Sequence, residues 1–360
     1  MATMKPVDLS QVERLLILKV SSMGDLVHAS PVAAALKHAY PHLRIGWVAE
    51  DRFAGVLEGS PCIDRLHQIP YRQLYHRGLS CVAWQALRSL VQEIRAERYQ
   101  VALDLQGLLK SALWGVLGGV PIRLGGHRMR EGTWLLMKRL PIPDLPDQHV
   151  VFQYLEATRW LGVESPVPVE FPLTVPAEAR QHASEKLATL GASTQFISIN
   201  PSAGREWKRW EIAKFAELSD RIETEWGIPV VFVGGPGDKP LEQQLHALKR
   251  RQLRSLIGQT SVKEAMAVVQ MSAVHVCGDT GTAHIAAAFG IPCVALYGPT
   301  SPDRTGPFGQ RERVLYKRPL CRQCPPDRCL RRECLQWITV DEVLERLAET
   351  LKTPAANRRW

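Results

Sequence analysis

The segment from Val276 to Pro302, VCGDTGTAHIAAAFGIPCVALYGPTSP, restricts the fold more than any other part of the chain. It predicts a strand over Ala273–Cys277, a glycine turn over 278–281, a helix over Thr282–Phe289 and a buried strand over Ile291–Tyr297. Strand, helix and strand in this order are typical of a parallel sheet covered by helices.

The turn between the first strand and the helix has the chemistry of an anion site. It presents backbone N–H groups and two hydroxyls at a helix N-terminus, which suits a phosphate or a diphosphate. An ordinary βαβ unit, whose Asp279 and Thr280 only cap the helix, explains the same turn. Both interpretations stay open at this point.

Length and charge restrict the class of protein. The chain has 360 residues, 45% of them hydrophobic and 22% charged, which is typical of a globular protein with two domains. The net charge of +9 predicts an anionic partner, which is nucleic acid, an acidic lipid surface or a phosphorylated substrate. No apolar run predicts a membrane span, and Asp8 and Glu13 interrupt the N-terminal segment, so we expect no signal peptide and a cytoplasmic protein.

The first half of the chain alternates predicted strands with predicted helices. The strands are Arg14–Val20, Arg44–Ala49, Arg65–Ile69 and Val101–Leu105, and the helices are Leu26–Tyr40, Asp51–Leu57 and Trp84–Arg98. This alternation predicts a parallel sheet flanked by helices.

A second series of the same kind follows the Pro-rich segment Glu164–Pro176, which we interpret as a linker. Its strands are Phe196–Asn200 and Pro229–Val233, and its helices are Ala177–Leu190, Ile212–Trp226, Leu241–Arg250 and Thr339–Leu351. We therefore expect an α/β fold with domains over 1–170 and 171–338, and a C-terminal helix and tail over 339–360 that pack back toward the first domain. Two such halves predict ligand binding in a cleft between them.

Five loops at the ends of predicted strands together resemble the family 9 glycosyltransferases, the bacterial ADP-heptose:lipopolysaccharide heptosyltransferases. They are KVSSMGDLVHASP (Lys19–Pro31), DLQGLLKSAL (Asp104–Leu113), NPSAGREWKRW (Asn200–Trp210), VGGPGDK (Val233–Lys239) and GDTGTAHIAAAFGIPCVALYGPTSP (Gly278–Pro302). The SSMGD and DTGTAHIAAA elements, in that order, make the resemblance specific. It extends from about Leu15 to Leu347, and the SSMGD form is most similar to heptosyltransferase I, which adds the first heptose to a Kdo residue of the lipid A core.

The resemblance implies a GT-B fold, in which two Rossmann-like domains with parallel sheets face a central cleft. It implies an inverting, metal-independent transfer of heptose from ADP-heptose to Kdo-lipid A or inner-core lipopolysaccharide, with no cofactor required for catalysis. The basic charge fits a peripheral enzyme on the cytoplasmic face of the inner membrane. No nucleic-acid-binding motif is present in the sequence, so we expect no nucleic acid partner.

Asp25 is the candidate catalytic base. Inverting transfer needs a group that takes the proton of the acceptor hydroxyl, and the resemblance gives this role to Asp25. As an N-cap of the helix Leu26–Tyr40, Asp25 would need no catalytic role. The residues before it, Ser21, Ser22, Met23 and Gly24, shape the same loop and are expected to meet the acceptor.

Lys208 is the candidate cation for the departing diphosphate, whose negative charge grows in the transition state. The family places a lysine ahead of a tryptophan here, as in Lys208-Arg209-Trp210, and Arg205 and Arg209 can share the work. A solvated basic loop is the alternative.

The remaining donor-site candidates surround the opening turn. Thr280, Gly281 and Thr282 are expected to bind the diphosphate through N–H and hydroxyl donors, and Asp279 is better suited to a sugar hydroxyl. His284 lies one turn into the helix, where it either points toward the diphosphate or is structural. Asp238 is a candidate for the ribose hydroxyls, although GPGDKP departs from the glutamate that the family often has here.

Acceptor-site candidates lie after the strand Val101–Leu105. Gln106, Gly107 and Lys110 follow the strand directly, and four further basic residues can meet acceptor carboxylates and phosphates or form a solvated face. These four are Arg123, His127, Arg128 and Arg130.

Four cysteines cluster near the C-terminus, at Cys321, Cys324, Cys329 and Cys334. Four thiolates this close can hold a structural zinc, and similar clusters occur in some members of the family. An iron–sulfur centre and reduced thiols remain alternatives. We expect any such metal to serve structure and not catalysis.

Two rival functions remain. A different nucleotide-sugar transferase or an epimerase on the same fold is the enzymatic alternative, and an epimerase would need no lipid-linked acceptor. A basic nucleic-acid-binding protein is the other, and binding to DNA at moderate salt would support it.

Overall fold

The computed structural model describes residues 6–71, 73–74, 80–126, 128–164, 168–317 and 333–352. The chain forms two compact units, the first ending at Thr174 and the second beginning at Val175. Each unit is built around one six-stranded sheet, and every pairing between neighbouring strands of the described chain is parallel.

The first unit has strand order β3-β2-β1-β4-β5-β6. Its strands are β1 Arg14–Leu18, β2 Arg44–Glu50, β3 Arg65–Ile69, β4 Val101–Asp104, β5 Ile122–Gly125 and β6 Lys138–Arg139. Its helices are α1 Met23–Ala29, α2 Pro31–Ala39, α3 Asp51–Ala54, α4 Cys81–Ala96, α5 Leu109–Leu117 and α6 Val150–Arg159. The strand order reverses between β1 and β4, and in open α/β sheets ligands bind at the carboxyl ends of the strands at such a point.

The second unit repeats this topology with the order β12-β11-β10-β7-β8-β9. Its strands are β7 Ile197–Asn200, β8 Val230–Phe232, β9 Arg254–Ser255, β10 Val274–Gly278, β11 Cys293–Tyr297 and β12 Val314–Tyr316. Its helices are α7 Ala177–Thr189, α8 Ile212–Glu225, α9 Lys239–Leu248, α10 Val262–Met271, α11 Gly281–Ala288, α12 Pro302–Thr305, α13 Glu333–Gln336 and α14 Val340–Lys352. Here the order reverses between β7 and β10.

Most predicted elements are present with shifted ends, but the predicted helix Leu26–Tyr40 is two helices. The break falls at Ser30, because Pro31 has no N–H to donate to the carbonyl of Val27. The Ser30 hydroxyl donates to that carbonyl instead, at 2.8 Å. The first helix begins at Met23 with Ser22 as its N-cap, so Asp25 is not an N-cap.

The C-terminal helix belongs to the core of the second unit. Val343, Leu344 and Leu347 of α14 are buried in the cluster that contains Trp210 and Phe215. The apolar face of α14 is thus covered within the second unit, and packing of the C-terminal segment toward the first domain stays a prediction. Within the described part of the chain, no helix combines the length and the apolar character needed to cross a bilayer.

Candidate active site

The loop after β1 places Asp25 in the first turn of α1. Asp25 Oδ2 accepts from the backbone N–H of Ser22 at 3.0 Å and from the Ser22 hydroxyl at 2.9 Å. This capping arrangement satisfies a donor at the helix start and fixes the carboxylate. The Asp25 side chain remains 42% exposed, so a ligand can reach it.

Lys19 lies beneath this carboxylate. Its Nζ is 3.9 Å from Asp25 Oδ1 and 4.9 Å from the ring centroid of Tyr154, and its side chain is buried. Burial would lower the pKa of Lys19, but Tyr154, Asp25 and Asp104 outweigh that effect and raise it. Lys19 is therefore a buried cation that is paired with Asp25.

The end of β4 forms a second part of the site. Asp104 Oδ1 accepts from the backbone N–H groups of Gln106 at 2.8 Å and Gly107 at 3.0 Å, and Oδ2 accepts from the Ser111 hydroxyl at 3.1 Å. Burial raises the pKa of Asp104, against the effect of these hydrogen bonds. Gln106 Oε1 accepts from the N–H of Ser21 at 3.4 Å, which joins the β1 and β4 loops.

Lys110 of α5 completes this region. Its Nζ donates to Ser21 Oγ at 2.6 Å and to Glu50 Oε1 at 3.2 Å. Glu50, the last residue of β2, is buried and also accepts from Arg52 at 2.6 Å. Sequence reasoning missed Glu50, although a carboxylate that directly follows a buried strand at this edge of the sheet was a usable signal.

The other basic candidates of the first unit have different surroundings. The guanidinium of Arg123 donates to the carbonyls of Leu136 at 3.0 Å and Val120 at 2.7 Å, which is a structural role. Arg128 and Arg130 are exposed. His127 lies outside the described residues.

In the second unit, the turn after β10 holds an ion pair. Lys208 Nζ donates to Asp279 Oδ2 at 2.5 Å, and the Thr300 hydroxyl donates to the same oxygen at 2.8 Å. Thr280 is the N-cap of α11 and makes no side-chain capping bond, and Gly281 and Thr282 are the first two residues of the helix. A cation thus lies at a helix N-terminus, where both favour an anion.

The loop that carries Lys208 packs against the end of β10. A Cβ on Gly278 would lie 3.4 Å from the carbonyl oxygen of Lys208, so the loop passes directly over this strand. Arg209 Nε is buried without a hydrogen-bond partner among the described residues, whereas Arg205 is exposed. Trp210 ends the loop and is buried, with its Nε1 donating to the carbonyl of Ile338 at 3.0 Å.

Two other donor-site candidates lie in the turn before α9 and inside α11. Asp238 Oδ2 accepts from the backbone N–H of Gly235 at 2.8 Å and ends the turn before α9. His284 is buried in α11. The residues that sequence reasoning missed here are Asn200, His275 and Thr300, which are ordinary residues of strands and loops in the sequence.

The cysteine cluster falls largely outside the described residues, which include Cys334 but not the other three. Cys334 is buried in α13, and its sulfur and the Leu335 side chain both lie close to Gly298. In the described ranges, no three His, Cys, Asp or Glu side chains are grouped to hold a metal ion. A structural metal at the cluster therefore stays a prediction.

Comparison with known proteins identifies the family. The model of glycosyltransferase family 9 (heptosyltransferase) matches residues 87–335, well over half of the chain. The chain belongs to glycosyltransferase family 9. It is therefore a glycosyltransferase, and the resemblance inferred from the five loops is confirmed.

Individual members of family 9 are similar over most of their length. The lipopolysaccharide core heptosyltransferase OpsX of Haemophilus influenzae is 26% identical over 84% of this chain and 83% of its own. Lipopolysaccharide heptosyltransferase 1 of Pseudomonas aeruginosa is 27% identical over 88% and 87%. The solved structure of the Escherichia coli ADP-heptose lipopolysaccharide heptosyltransferase II is 25% identical, with a TM-score of 0.74 over 94% of this chain and 98% of that one.

These similarities confirm the expected α/β fold class. The two parallel sheets with their covering helices are those of the GT-B fold that family 9 shares. In each unit the family's motif residues lie where the strand order reverses: Asp25 after β1, and Asp279 after β10. The carboxylate in the first unit can accept a proton, and the cation and helix N-terminus in the second can hold a diphosphate.

Proposed function

We propose that this family 9 glycosyltransferase transfers heptose from ADP-heptose to the inner core of lipopolysaccharide, inverting the anomeric centre without a metal. The observation that carries the proposal is the Lys208–Asp279 ion pair at the N-terminus of α11. At this one turn, the ammonium of Lys208 can bind a diphosphate and the carboxylate of Asp279 can accept from sugar hydroxyls. The similarity to the E. coli ADP-heptose lipopolysaccharide heptosyltransferase II supports the choice of donor.

The donor diphosphate is held by the start of α11 and by the loop after β7. The backbone N–H groups of Gly281 and Thr282 lie at the helix N-terminus, where they can donate to the bound diphosphate. When the diphosphate enters, it competes with Asp279 for Lys208, and the released Asp279 carboxylate can accept from a hydroxyl of the heptose. The buried Arg209 Nε, which lacks a partner among the described residues, gives a second donor beside Lys208.

This supply of cations supports the proposed metal independence. A leaving diphosphate needs its growing charge stabilised, and Lys208 with Arg209 provides donors that need no divalent ion. Persistence of turnover in EDTA is the direct test.

Asp25 acts as the base toward the acceptor. The two hydrogen bonds from Ser22 fix Oδ2, and the buried ammonium of Lys19 lies 3.9 Å from Oδ1. A fixed, ionised carboxylate can take the proton of an acceptor hydroxyl as it attacks the anomeric carbon. A single displacement of this kind inverts the configuration.

The acceptor belongs beside Lys110. Kdo carries a carboxylate, and the ammonium of Lys110 lies next to Ser21 in the Asp25 loop. Similarity alone does not choose the acceptor, because heptosyltransferase 1 and heptosyltransferase II are similar to this chain to about the same degree. We propose Kdo because of the SSMGD form of the first loop and the position of Lys110.

The first unit offers a surface for a membrane that holds such an acceptor. Leu109, Leu113 and Leu117 form an exposed stripe along α5, and Trp134 and Leu135 are 60% and 82% exposed in the turn before β6. The N–H of Leu109 donates to Glu131 at 2.9 Å, which places this turn beside the stripe. The exposed cations around it suit anionic head groups, and they are Arg128, Arg130, Lys138 and Arg139.

Sedimentation with vesicles tests this peripheral membrane role. We expect binding to vesicles that contain phosphatidylglycerol, weak binding to purely zwitterionic ones, and loss of binding in the Leu135→Ser variant. Leu248→Ser is the matched control, because Leu248 is also an exposed leucine but lies in the second unit. Equal loss in both variants would argue against this surface.

One assay tests the proposed activity. ADP release from ADP-heptose is measured in EDTA, with and without Kdo2-lipid A. Release that depends on the acceptor supports the proposal. Turnover of the sugar nucleotide without any acceptor would favour an epimerase, and absence of donor binding would refute the donor assignment.

A further inference from the structure

A line of polar side chains, four of them buried and Thr282 half-buried, runs beneath the turn that begins α11. Ser198 and Asn200 belong to β7, His275 to β10, Ser272 ends α10, and Thr282 is the second residue of α11. His275 is directly opposite Ser198 in the register of the two parallel strands. Of these five residues, only Thr282 was a candidate site residue from the sequence.

The donor and the acceptor of each hydrogen bond can be assigned from Ser272, the residue at one end of the line. The Ser272 hydroxyl lies 2.8 Å from the carbonyl of Val269, which can only accept, so Ser272 donates to it. Its oxygen then accepts from Ser198 at 2.9 Å. Because a hydroxyl has one hydrogen, Ser198 can only accept from His275 Nδ1, at 2.8 Å. The proton of His275 is therefore on Nδ1.

The other ring nitrogen of His275 must accept. Burial lowers the pKa of His275 to about 3, so the ring is neutral and Nε2 carries a lone pair. Thr282 Oγ1 lies 2.9 Å from Nε2 and is its donor. The hydroxyl hydrogen of Thr282 is thus directed into the protein.

The hydrogen bonds of Asn200, at the opposite end of the line, are consistent with Thr282 as the donor to His275. The backbone N–H of Ser202 donates to Asn200 Oδ1 at 2.9 Å, which fixes the orientation of the amide. Asn200 Nδ2 then donates to Thr282 Oγ1 at 3.2 Å. The thiol of Cys277 also approaches Thr282, but a thiol sulfur is a weak acceptor compared with an imidazole nitrogen.

We propose that His275 is a positioning residue that holds the Thr282 hydroxyl inward, so that Thr282 offers a ligand only its backbone N–H and Thr280 supplies the hydroxyl that meets an anion. Thr280 fits this role because its side chain makes no capping bond. Turning the Thr282 hydroxyl outward would leave His275 Nε2 buried and unsatisfied, which proteins avoid. The identity of the anion as the diphosphate of ADP rests on the proposed function. The assignment of hydrogen-bond donors and acceptors along the line does not.

The first test reads the tautomer of His275 by nitrogen-15 NMR of the full chain with labelled histidine. The His275 signals are assigned by their loss in a His275→Asn variant. We expect a proton on Nδ1 and none on Nε2 at pH 7, both without ligand and with saturating ADP. A proton on Nε2 in either state, or a doubly protonated ring, would overturn the proposal.

The second test compares two isosteric variants by calorimetric titration with ADP. Thr280→Val removes a hydrogen bond to a charged group, and we expect about ten- to hundredfold weaker binding. Thr282→Val leaves Nε2 and the Asn200 amide unsatisfied, so we expect a lower unfolding temperature with a loss of ADP affinity below about threefold. Equal loss of affinity in the two variants would contradict the proposal, and failure of the wild type to bind ADP would sink the proposed function but not the tautomer assignment.

Discussion

Removing the charge of Lys208 tests the donor site most directly. A cation about 4 Å from a phosphate charge is worth about 4 kcal/mol at an effective dielectric constant of about 20. Lys208 starts paired with Asp279 at 2.5 Å, so only the difference between the two partners counts toward the rate. We therefore expect Lys208→Met to lower kcat by about 10²- to 10³-fold, as the loss of one such donor does elsewhere.

The same substitution has a modest effect on folding. It leaves Asp279 half-buried with the Thr300 hydroxyl at 2.8 Å as a remaining donor. The expected loss of unfolding free energy is about 1–2 kcal/mol, between the values for exposed and for buried pairs. Urea unfolding measures this cost separately from the kinetics.

A matched control separates the two effects. Lys186 pairs with Glu264 at 2.8 Å, in the same unit and with similar exposure, but on α7 and α10. Lys186→Met should cost similar stability and leave kcat within about twofold. The role of Lys208 at the diphosphate is refuted if Lys208→Met keeps kcat within about threefold of the wild type, or if Lys186→Met loses as much activity.

Three other perturbations have defined outcomes. Asp25→Asn should lower kcat by about 10²- to 10⁴-fold with ADP-heptose affinity nearly intact, as measured by initial rates and calorimetry, and near-full turnover would remove Asp25 as the base. His275 binds a proton in the unfolded chain below its ordinary pKa of about 6.5 but not in the folded protein until about pH 3, so its contribution to stability is complete above that window and falls by about 1.4 kcal/mol per pH unit on acidification within it. Urea unfolding of wild type and His275→Asn between pH 7 and 4 checks this. We expect the unfolding free energy to fall more steeply on acidification in the wild type than in the variant. Equal slopes against pH would show that His275 is charged in the folded protein. Trp210→Ala should lower the unfolding free energy by about 3–5 kcal/mol, since it removes a buried ring packed edge-on against Phe215 with centroids 4.9 Å apart; a loss below about 1 kcal/mol in urea unfolding would contradict this packing argument.

The fold was predictable where apolar runs are bounded by polar loops. Strands such as β1 and β11 are nearly continuous apolar runs because both faces of a parallel sheet are covered, and that pattern is visible in one sequence. Helix α5, with the sequence LKSALWGVL, was not predicted, because its exposed leucines blur the amphipathic period and Gly115 interrupts it. The two-residue strands β6 and β9 carry no sequence signal at all.

The candidate site divides in the same way. Asp25, Lys208 and Asp279 could be found because each lies in a motif directly after a strand. Glu50 directly follows a predicted strand and carried the same signal, but its contact with Lys110, 60 positions away, is not visible in one sequence. His275 could not be found, because its importance comes from Ser198, 77 positions away in the chain. Single-sequence reasoning sees which side chains follow a strand but not which strands are neighbours in the sheet.

The anchoring of Trp210 on Ile338 has a consequence for synthesis on the ribosome. The loop that carries Lys208 is closed by a tryptophan whose indole donates to a carbonyl 128 residues later, and Lys214 donates to the same carbonyl at 3.2 Å. Leu335, Ile338, Val343 and Leu347 fill the core around that ring. A nascent chain released before residue 333 would therefore lack the floor of its donor loop, so this unit can mature only after its last helix has left the exit tunnel.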